Sequence, residues 1–471
     1  MGSREIGRRT GIQYPGPFQR RRGARLLDRN GHHARSIGPD LARMTDLEIK
    51  WPDDMAEQTR VAKGRIERAG EALRAMPLEE RLRLVCMVLE DWTKADSSWR
   101  RELTVAYSEA SPFHEETVRE GLDAALRAWR PDALHECARR ELSPILDSAF
   151  LALAPFEWTA VLAGGDLPMT TLHSGVLPLV LGSPVLMREA SGDQITAKLL
   201  KRSLETRSQV LAAAFESISF STEDVAFEEL LTAPCVVATG SDQTIRSISD
   251  RLAPHQRFVA YGHQFSIGLL GSQFVLGQDS LRELTNDFAL DIVRWDQTGC
   301  LSPVVIYLVG LDPTESSAFA NSLTQSLNLY HEKSPRGALP TATQANLANE
   351  VAEARMRQSN GTSMLFEGID SVVTLESDAT NRPAPLHRFI RLMPVATLTA
   401  LRECLGPFAG RLSSVAVSGF APDEDEELQE LLARLGVSRI TKPGHLQTPP
   451  IDWPHDGMPV FSPMTRFIQS D

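Results

Sequence analysis

A two-domain α/β protein is the fold class this sequence predicts, and three observations predict it. The chain of 471 residues is longer than one compact core organises, so two large domains are expected. Between Trp158 and Val309, short apolar runs alternate with helical patterns, which is the signature of a parallel sheet with crossover helices. One of these runs, "PCVVATGS", ends in a Gly-Ser pair that opens a helix, a turn whose free N–H groups favour an anion.

The elements follow in order. Residues 1–43 carry ten arginines against Glu5, Asp28 and Asp40. With almost no apolar periodicity this leader is expected to be disordered, and it lacks the apolar stretch of a secretory signal. Met44, beside the first ordered-looking sequence, is an alternative start; a basic tail that binds RNA or anchors the chain is the competing reading. From about Met55 to Ala138, "RIERAGEALRAM" and "ERLRLVCMVLEDW" repeat apolar residues at i, i+3, i+4 and i+7, which predicts helices. "WTAVLAG" at 158–164 is the first strand. "DLPMTTLHSGVLPLVLGSPVLMREAS" reads as loop, helix, glycine stop and the strand "PVLMR". A helix over about Gln194–Arg207, the strand "PCVVATGS", the helix "QTIRSISDRLA" and the strand "RFVAY" continue the alternation. A helix near 279–291 and a strand after Cys300 complete it. Pro313 to Arg357 is mostly helical, followed by the strands "SVVTLESD" and "FIRLMPV" and helices around Leu398 and Glu426. The closing "GVSRITKPGHLQTPPIDWPHDG" is rich in Pro and Gly, so turns are expected. Its Trp453, His445 and His455 read as a substrate-facing wall, with Trp453 as a plain loop anchor the competing reading.

Composition excludes several classes. Hydrophobic residues at 42% and charged residues at 23% are ordinary for a soluble globular chain. No apolar run approaches the roughly 18 residues of a membrane-spanning helix. The five cysteines are scattered with no CxxC pair, so neither a metal site nor a disulfide framework is indicated, and a reducing cytoplasm fits best. The net charge of −12, despite the basic leader, argues against nucleic acid as the main partner.

Two stretches carry chemistry. In "WDQTGCLSPVVIYLV", Cys300 stands just outside an apolar run, between a glycine and a Ser-Pro turn. A cysteine nucleophile needs thiolate character and access. Gly299 allows close approach of a ligand, and the Cys300 N–H can point at a developing oxyanion. The other cysteines fall in apolar or helical patterns, Cys86 in "RLVCMVL" being the clearest core residue. In "VVATGSDQTIRSI", Gly240 and Ser241 form the strand-to-helix turn that favours phosphate; it is not GxGxxG, and such turns are common.

Taken together, "DLP…GSPVLMREAS", "TGS", "YGHQFSIG" and "GCLSP" follow the order and spacing of the aldehyde dehydrogenase superfamily. More closely, the sequence resembles the LuxC-type acyl-CoA reductases, the fatty acid reductase subunits of bacterial luminescence systems. "TGCLSP" is similar to that family's "ACxSP", and the closing tail is similar to its "G.MQ.PP.DW.HDG". The resemblance covers roughly Trp158 to Phe467. It implies an aldehyde dehydrogenase-like fold, with a helical preface and Rossmann-like NADP-binding domain over about 44–257 and a catalytic domain over about 258–471. It implies that Cys300 takes the acyl group from a thioester and that hydride from a nicotinamide releases the aldehyde. Gly240 and Ser241 then lie near the cofactor pyrophosphate. Arg188 stands where dehydrogenases usually carry a lysine on the adenosine ribose. Ser191 replaces the glutamate of NAD-preferring members; without that acid a 2′-phosphate meets no repulsion, and NADPH is the expected cofactor.

Two departures from the superfamily bear on mechanism. The glutamate that activates water in acid-forming dehydrogenases is absent from "RFVAYGHQFSIG", which suits a reductase, and His263 in that stretch is a candidate proton shuttle. Its plain alternative is a turn hydrogen bond. Asp166 stands where the superfamily places an oxyanion-binding asparagine. Either Asp166 is protonated in a dry pocket, or the oxyanion relies on backbone N–H groups, or activity is impaired. The expected function is NADPH-dependent reduction of an acyl-CoA or acyl-protein thioester to the aldehyde. A homo-oligomer and an acyl-protein synthetase partner are the expected assemblies. The alternatives are an aldehyde or semialdehyde dehydrogenase on a smaller substrate, or a weakened acyl-binding paralogue that scaffolds a partner.

Overall fold

The computed structural model describes residues 52–146, 151–273, 278–382 and 384–469, so the expectations for the basic leader and for Met44 lie outside the described residues. Five helices come first, Met55–Ala75, Leu78–Thr93, Ser98–Ala110, Glu115–Ala128 and Pro131–Leu146. Asp54 caps the first by accepting from the Glu57 N–H at 3.0 Å. The apolar faces of the last four, with Leu73 of the first, join the same core as one face of the first large sheet, while Ala62 and Ile66 of the first helix pack on its other face.

After β1 (Leu151–Ala154), that sheet is built from β2 (Thr159–Leu162), β3 (Val185–Arg188), β4 (Phe215–Ile218), β5 (Cys235–Thr239) and β6 (Arg257–Tyr261). Its order is β4-β3-β2-β5-β6, all parallel. The order reverses between β2 and β5, the switch point beyond whose carboxyl ends ligands bind in open α/β sheets. Strands of such a sheet are buried on both faces, and the alternation shows it. Ala160, Leu162, Val236 and Ala238 face one apolar cluster, while Val161, Cys235 and Val237 face the other. The helix Pro168–Leu181 stops at Gly182, which adopts φ 92° as its C-cap. Arg257–Tyr261, at the expected change of domain, belongs to this sheet, and the chain crosses to the second sheet over 262–264.

The second sheet comprises β7 (Phe265–Gly271), β8 (Pro303–Val309), β9 (Ser363–Glu367), β10 (Val372–Glu376), β11 (Phe389–Val395), β12 (Leu412–Ser418) and β13 (Arg439–Thr441). Its order is β13-β12-β7-β8-β11-β10-β9, parallel except for β9, which runs antiparallel to β10. Along β8, Ile306 and Leu308 enter one core cluster and Val305, Tyr307 and Val309 the other. The helices Gln278–Val293 and Pro313–Lys333 cover the first of these faces. The second of them starts at a capping box in which Asp312 and Glu315 each satisfy the other's backbone N–H. β13 lies within the tail expected to be all turns, and β14 (Arg466–Gln469) returns to pair antiparallel with β1. Among the described residues, no helix is long and apolar enough to cross a membrane.

Candidate active site

Cys300 lies in the turn that feeds β8. The Ser302 N–H closes this turn by donating to the Gly299 carbonyl at 2.9 Å. The carbonyl of Cys300 accepts from the Ser266 hydroxyl on β7 at 2.9 Å, and Ser266 in turn accepts from the Ser414 N–H on β12 at 3.3 Å. Gly299 has little room beside it: a Cβ there would lie 3.1 Å from Leu167 Cδ1 and 3.3 Å from Gln447 Oε1. Leu167 leads the helix after β2, and Gln447, buried in the tail, donates to the Ser302 hydroxyl. The Cys300 turn is thus wedged between the first domain and the chain's closing segment.

The tail is itself held at the end of the helix Gln278–Val293 and by an arginine of its own. The buried Asp291 accepts from the Gly444 and Leu446 N–H groups at 2.7 and 3.0 Å, Arg294 donates to the Gly444 carbonyl at 3.1 Å, and Arg439 donates to the Leu446 carbonyl at 2.9 Å. This grip delivers "WPHDG" to the site. His455 stacks on Tyr261, the last residue of β6, with centroids 4.5 Å apart and planes 12° apart, and Trp453 lies 4.8 Å from His455. Trp453 and His455 therefore sit over the end of the first sheet.

Cys300 is exposed to solvent yet closely surrounded by protein, and that surrounding pushes its thiol up to about 11. Asp456 adds its negative charge to the effect, while the N–H groups of Cys300 and Leu301 oppose it. Those two N–H groups face the sulfur, where they can also receive charge on a carbonyl oxygen under attack. Asp456 adopts φ 54°, and its Oδ1 is buried without a hydrogen-bond partner, 3.6 Å from His455 Nε2. Burial pushes the Asp456 carboxyl up to about 6. Burial, with His173 nearby, pushes His455 down to about 4, so its imidazole is neutral at neutral pH.

The other sequence-derived candidates divide into two groups. Asp166 lies in the loop that brings Leu167 to Gly299, but its side chain rests beside Gly192, where an added Cβ would collide with its Oδ1. Burial raises the Asp166 carboxyl, and Asp193 adds to the shift. The His263 backbone N–H donates to Asp242 Oδ1 at 2.9 Å; burial lowers its imidazole, Asp242 opposing and Arg411 adding to the shift. The charged side chain that acts on the thiol is Asp456, which stands in the tail motif but was assigned no role on sequence grounds. Gln447 and Ser266 are further supports that nothing in their local sequence announces. Cys86, expected as the clearest core cysteine, is only half-buried and donates to the Pro131 carbonyl at 3.3 Å, because its helix face meets an open groove.

At the carboxyl edge of the first sheet, Arg188, Gly164 and Gly240 stand at the ends of the neighbouring strands β3, β2 and β5. Gly164 is required by close approach, since a Cβ there would meet the Thr239 carbonyl oxygen at 2.1 Å. Ser241 caps the helix Asp242–Ser249, accepting from the Thr244 N–H at 3.1 Å. Arg188 is partly buried, donates to the Phe220 carbonyl at 3.1 Å, and has its basicity lowered by burial. Ser191 is exposed. Beside Arg188 stands an acid, Glu189. It is 1% exposed, accepts from the Ser217 hydroxyl at 2.8 Å, and burial raises its carboxyl. Among the described residues, no group of three His, Cys, Asp or Glu side chains is placed to hold a metal ion.

Comparison with known proteins agrees with this architecture. Aldehyde dehydrogenase 21 of Physcomitrella patens, solved with succinate, superposes with a TM-score of 0.65 at 14% identity, covering 88% of this chain and 89% of that one. The glyceraldehyde-3-phosphate dehydrogenase of Methanocaldococcus jannaschii, complexed with NADP, gives 0.64 at 11% identity over 88% and 94%. An NAD-dependent benzaldehyde dehydrogenase of Corynebacterium glutamicum gives 0.61 at 12% identity over 88% and 90%. These likenesses establish the aldehyde dehydrogenase-like fold. No curated protein matches the sequence. The family model described as acyl-CoA reductase (LuxC) matches residues 73–467, from the first helix to the closing strand. That match takes in the cysteine turn, the glycine edge and the tail together, and the chain belongs to the LuxC acyl-CoA reductase family.

Proposed function

We propose that the protein reduces a fatty acyl thioester, acyl-CoA or acyl-protein, to the aldehyde with NADPH. Family and fold support an oxidoreductase acting on acyl or aldehyde groups. The observation that carries the finer reading is Cys300 itself, an accessible thiol in a turn wedged between the first domain and the tail. In this reading the sulfur attacks the thioester carbonyl, the S–C bond forms, and the donor's thiol departs with a proton. The Cys300 and Leu301 N–H groups hold the oxyanion, which leaves Asp166 turned toward Gly192. The residues at the glycine edge fit a dinucleotide: the Gly164 and Gly240 backbones allow close approach, and Arg188 can pair with a 2′-phosphate. Glu189, just past the end of β3, is engaged by the Ser217 hydroxyl at 2.8 Å and by Lys198 at 3.8 Å. When bound, the nicotinamide supplies the hydride that converts the acyl-enzyme to the thiohemiacetal, whose collapse returns the thiolate.

Asp456 favours a second reading, oxidation of a smaller aldehyde, because a carboxylate near the thiol is the group that activates water in acid-forming dehydrogenases. Incubation with acyl-CoA followed by NADPH or NADH, in wild type and Cys300→Ala, separates the two. The reductase forms a Cys300-dependent acyl adduct and then aldehyde, faster with NADPH. Acid formation from aldehydes, with no thioester consumed, establishes the dehydrogenase instead.

A further inference from the structure

We infer that Asp296 and Arg388, with Gln297 beside them, form a clamp that positions Cys300, locking two left-handed turns together just ahead of the nucleophile. The inference rests on the reading of Cys300 as the acyl-accepting thiol. Trp295, Asp296 and Gln297 take φ of 51°, 48° and 64°, and Leu386, His387 and Arg388 take 61°, 55° and 68°. Among the described residues, these six and Asp456 are all the non-glycine positions at positive φ, so every such position lies in one of these turns or acts on the thiol. Bulky residues avoid this region, and runs of three persist only where surrounding contacts impose them.

The imposing contacts are at hand. Arg388 donates from Nε and Nη2 to Asp296 Oδ1 at 3.0 and 2.7 Å, from Nη2 to the Ser334 carbonyl at 2.8 Å, and from Nη1 to Asp370 Oδ2 at 2.9 Å. Asp296 Oδ2 accepts from the Gly337 N–H at 3.0 Å. The two side chains are 0% and 4% exposed. Gln297 Nε2 ties the same turns a second time, donating to the Pro303 and Phe389 carbonyls at 2.9 and 3.0 Å. Arg336 acts on Asp296 and donates to the His387 carbonyl at 3.0 Å, and His331 lies 2.7 Å from Asp370. Stability alone does not call for this arrangement, since an apolar pair of similar volume serves a core as well as a buried ion pair does. A planar guanidinium, by contrast, holds several partners in fixed directions at once. From Gln297 only Thr298 and Gly299 separate the clamp from Cys300, so an error at the turn is carried directly to the sulfur. Asp296 and Arg388 are positioning residues, because neither touches the reacting atoms.

The test uses the full chain and nitrophenyl acetate, a small activated ester that acylates a thiol without CoA or nicotinamide. Three variants are compared with wild type and a Cys300→Ala blank: Arg388→Lys, which keeps charge but loses the fork; Asp296→Asn, which keeps shape and one acceptor; and Gln297→Met, which leaves no charge unpaired. The nitrophenol burst, acyl transfer from acyl-CoA, the pH profile of Cys300 alkylation and the unfolding midpoint are measured together. The expected result is a folded Arg388→Lys whose burst rate falls up to about a hundredfold at saturating ester, with an unshifted alkylation profile, the scale of loss that follows a misplacement of about 1 Å. Asp296→Asn loses less. Where the ion-pair variants do not fold, Gln297→Met carries the test and is expected to slow the burst likewise. Burst rates within about threefold of wild type in the folded variants overturn the clamp, since misplacement costs far more than that. A wild type that gives the burst but consumes no acyl-CoA overturns the thioester reading alone and leaves the clamp standing.

Discussion

Cys300 meets two opposed influences at its sulfur: backbone N–H groups that favour the thiolate, and the surrounding protein and Asp456 charge that disfavour it. Asp456 is ionised above about 6, so across neutral pH its charge helps to keep the thiol protonated. Asp456→Asn removes that charge. The expected outcome is a Cys300 alkylation profile moved to lower pH and several-fold faster alkylation at neutral pH, read from iodoacetamide kinetics. A profile that stays in place or moves to higher pH disproves the coupling. The residue types at this site were legible in sequence, the cysteine through its Gly-Ser-Pro setting and the tail through its motif. The pairing of the two was not, because 156 positions separate Cys300 from Asp456 and no local pattern encodes a contact across that distance.

At the scale of elements, the helix Glu115–Ala128 shows how the preface reaches the site. Gly121 lies on its buried side, and a Cβ there would sit 2.4 Å from Trp295 Cε2. Trp295 also meets Phe113 edge-on, at 5.6 Å between centroids. In an open helix Gly→Ala stabilises by about 0.5–1 kcal/mol. Gly121→Ala is expected instead to destabilise by about 1–3 kcal/mol in urea unfolding, because it overpacks against a side chain in a constrained turn. Stabilisation would show that Trp295 has room to move. The strands β2, β3, β5 and β8 were legible in sequence because burial on both faces makes them apolar runs, and the edge strand β6 through its alternation. β7 and β12 were not. The glycines of "FSIGLLG" depress strand propensity, yet Gly268 is needed where a Cβ would meet Phe288 and Ile306 at 2.7 and 2.9 Å. The serines of "LSSVAVS" look exposed in sequence, yet Ser413 and Ser414 are buried in the sheet.

For the whole molecule, the decisive feature is that the last stretch of chain returns across both sheets. Asp291 anchors that return, and burial pushes its carboxyl up to about 7 despite the N–H groups of Gly444, Leu446 and Gln447 and the nearby Arg294. A folded-state value above the unfolded one means the folded protein keeps a proton that the unfolded chain has released. The stabilisation is therefore complete below the unfolded value, near 3.8, and is lost as pH rises through about 7. Wild type is expected to lose stability over that window, and Asp291→Asn to lose less, in urea unfolding at a series of pH values. An unchanged slope in the variant assigns the pH dependence elsewhere.

The sequence by itself determined the α/β class, the order of most helices and buried strands, the cysteine turn and the likeness to the LuxC family, because periodicity and short motifs are local properties of the chain. Tertiary structure alone decided which side chains act on Cys300. Asp456 and Gln447 arrive with the tail, Ser266 from a neighbouring strand, and Arg388 across a buried ion pair. Asp166 turns toward Gly192, and His263 gives its backbone N–H to Asp242. Charge and hydrogen bonding act over a few ångströms of space, and only the folded backbone sets which distant residues come within that range.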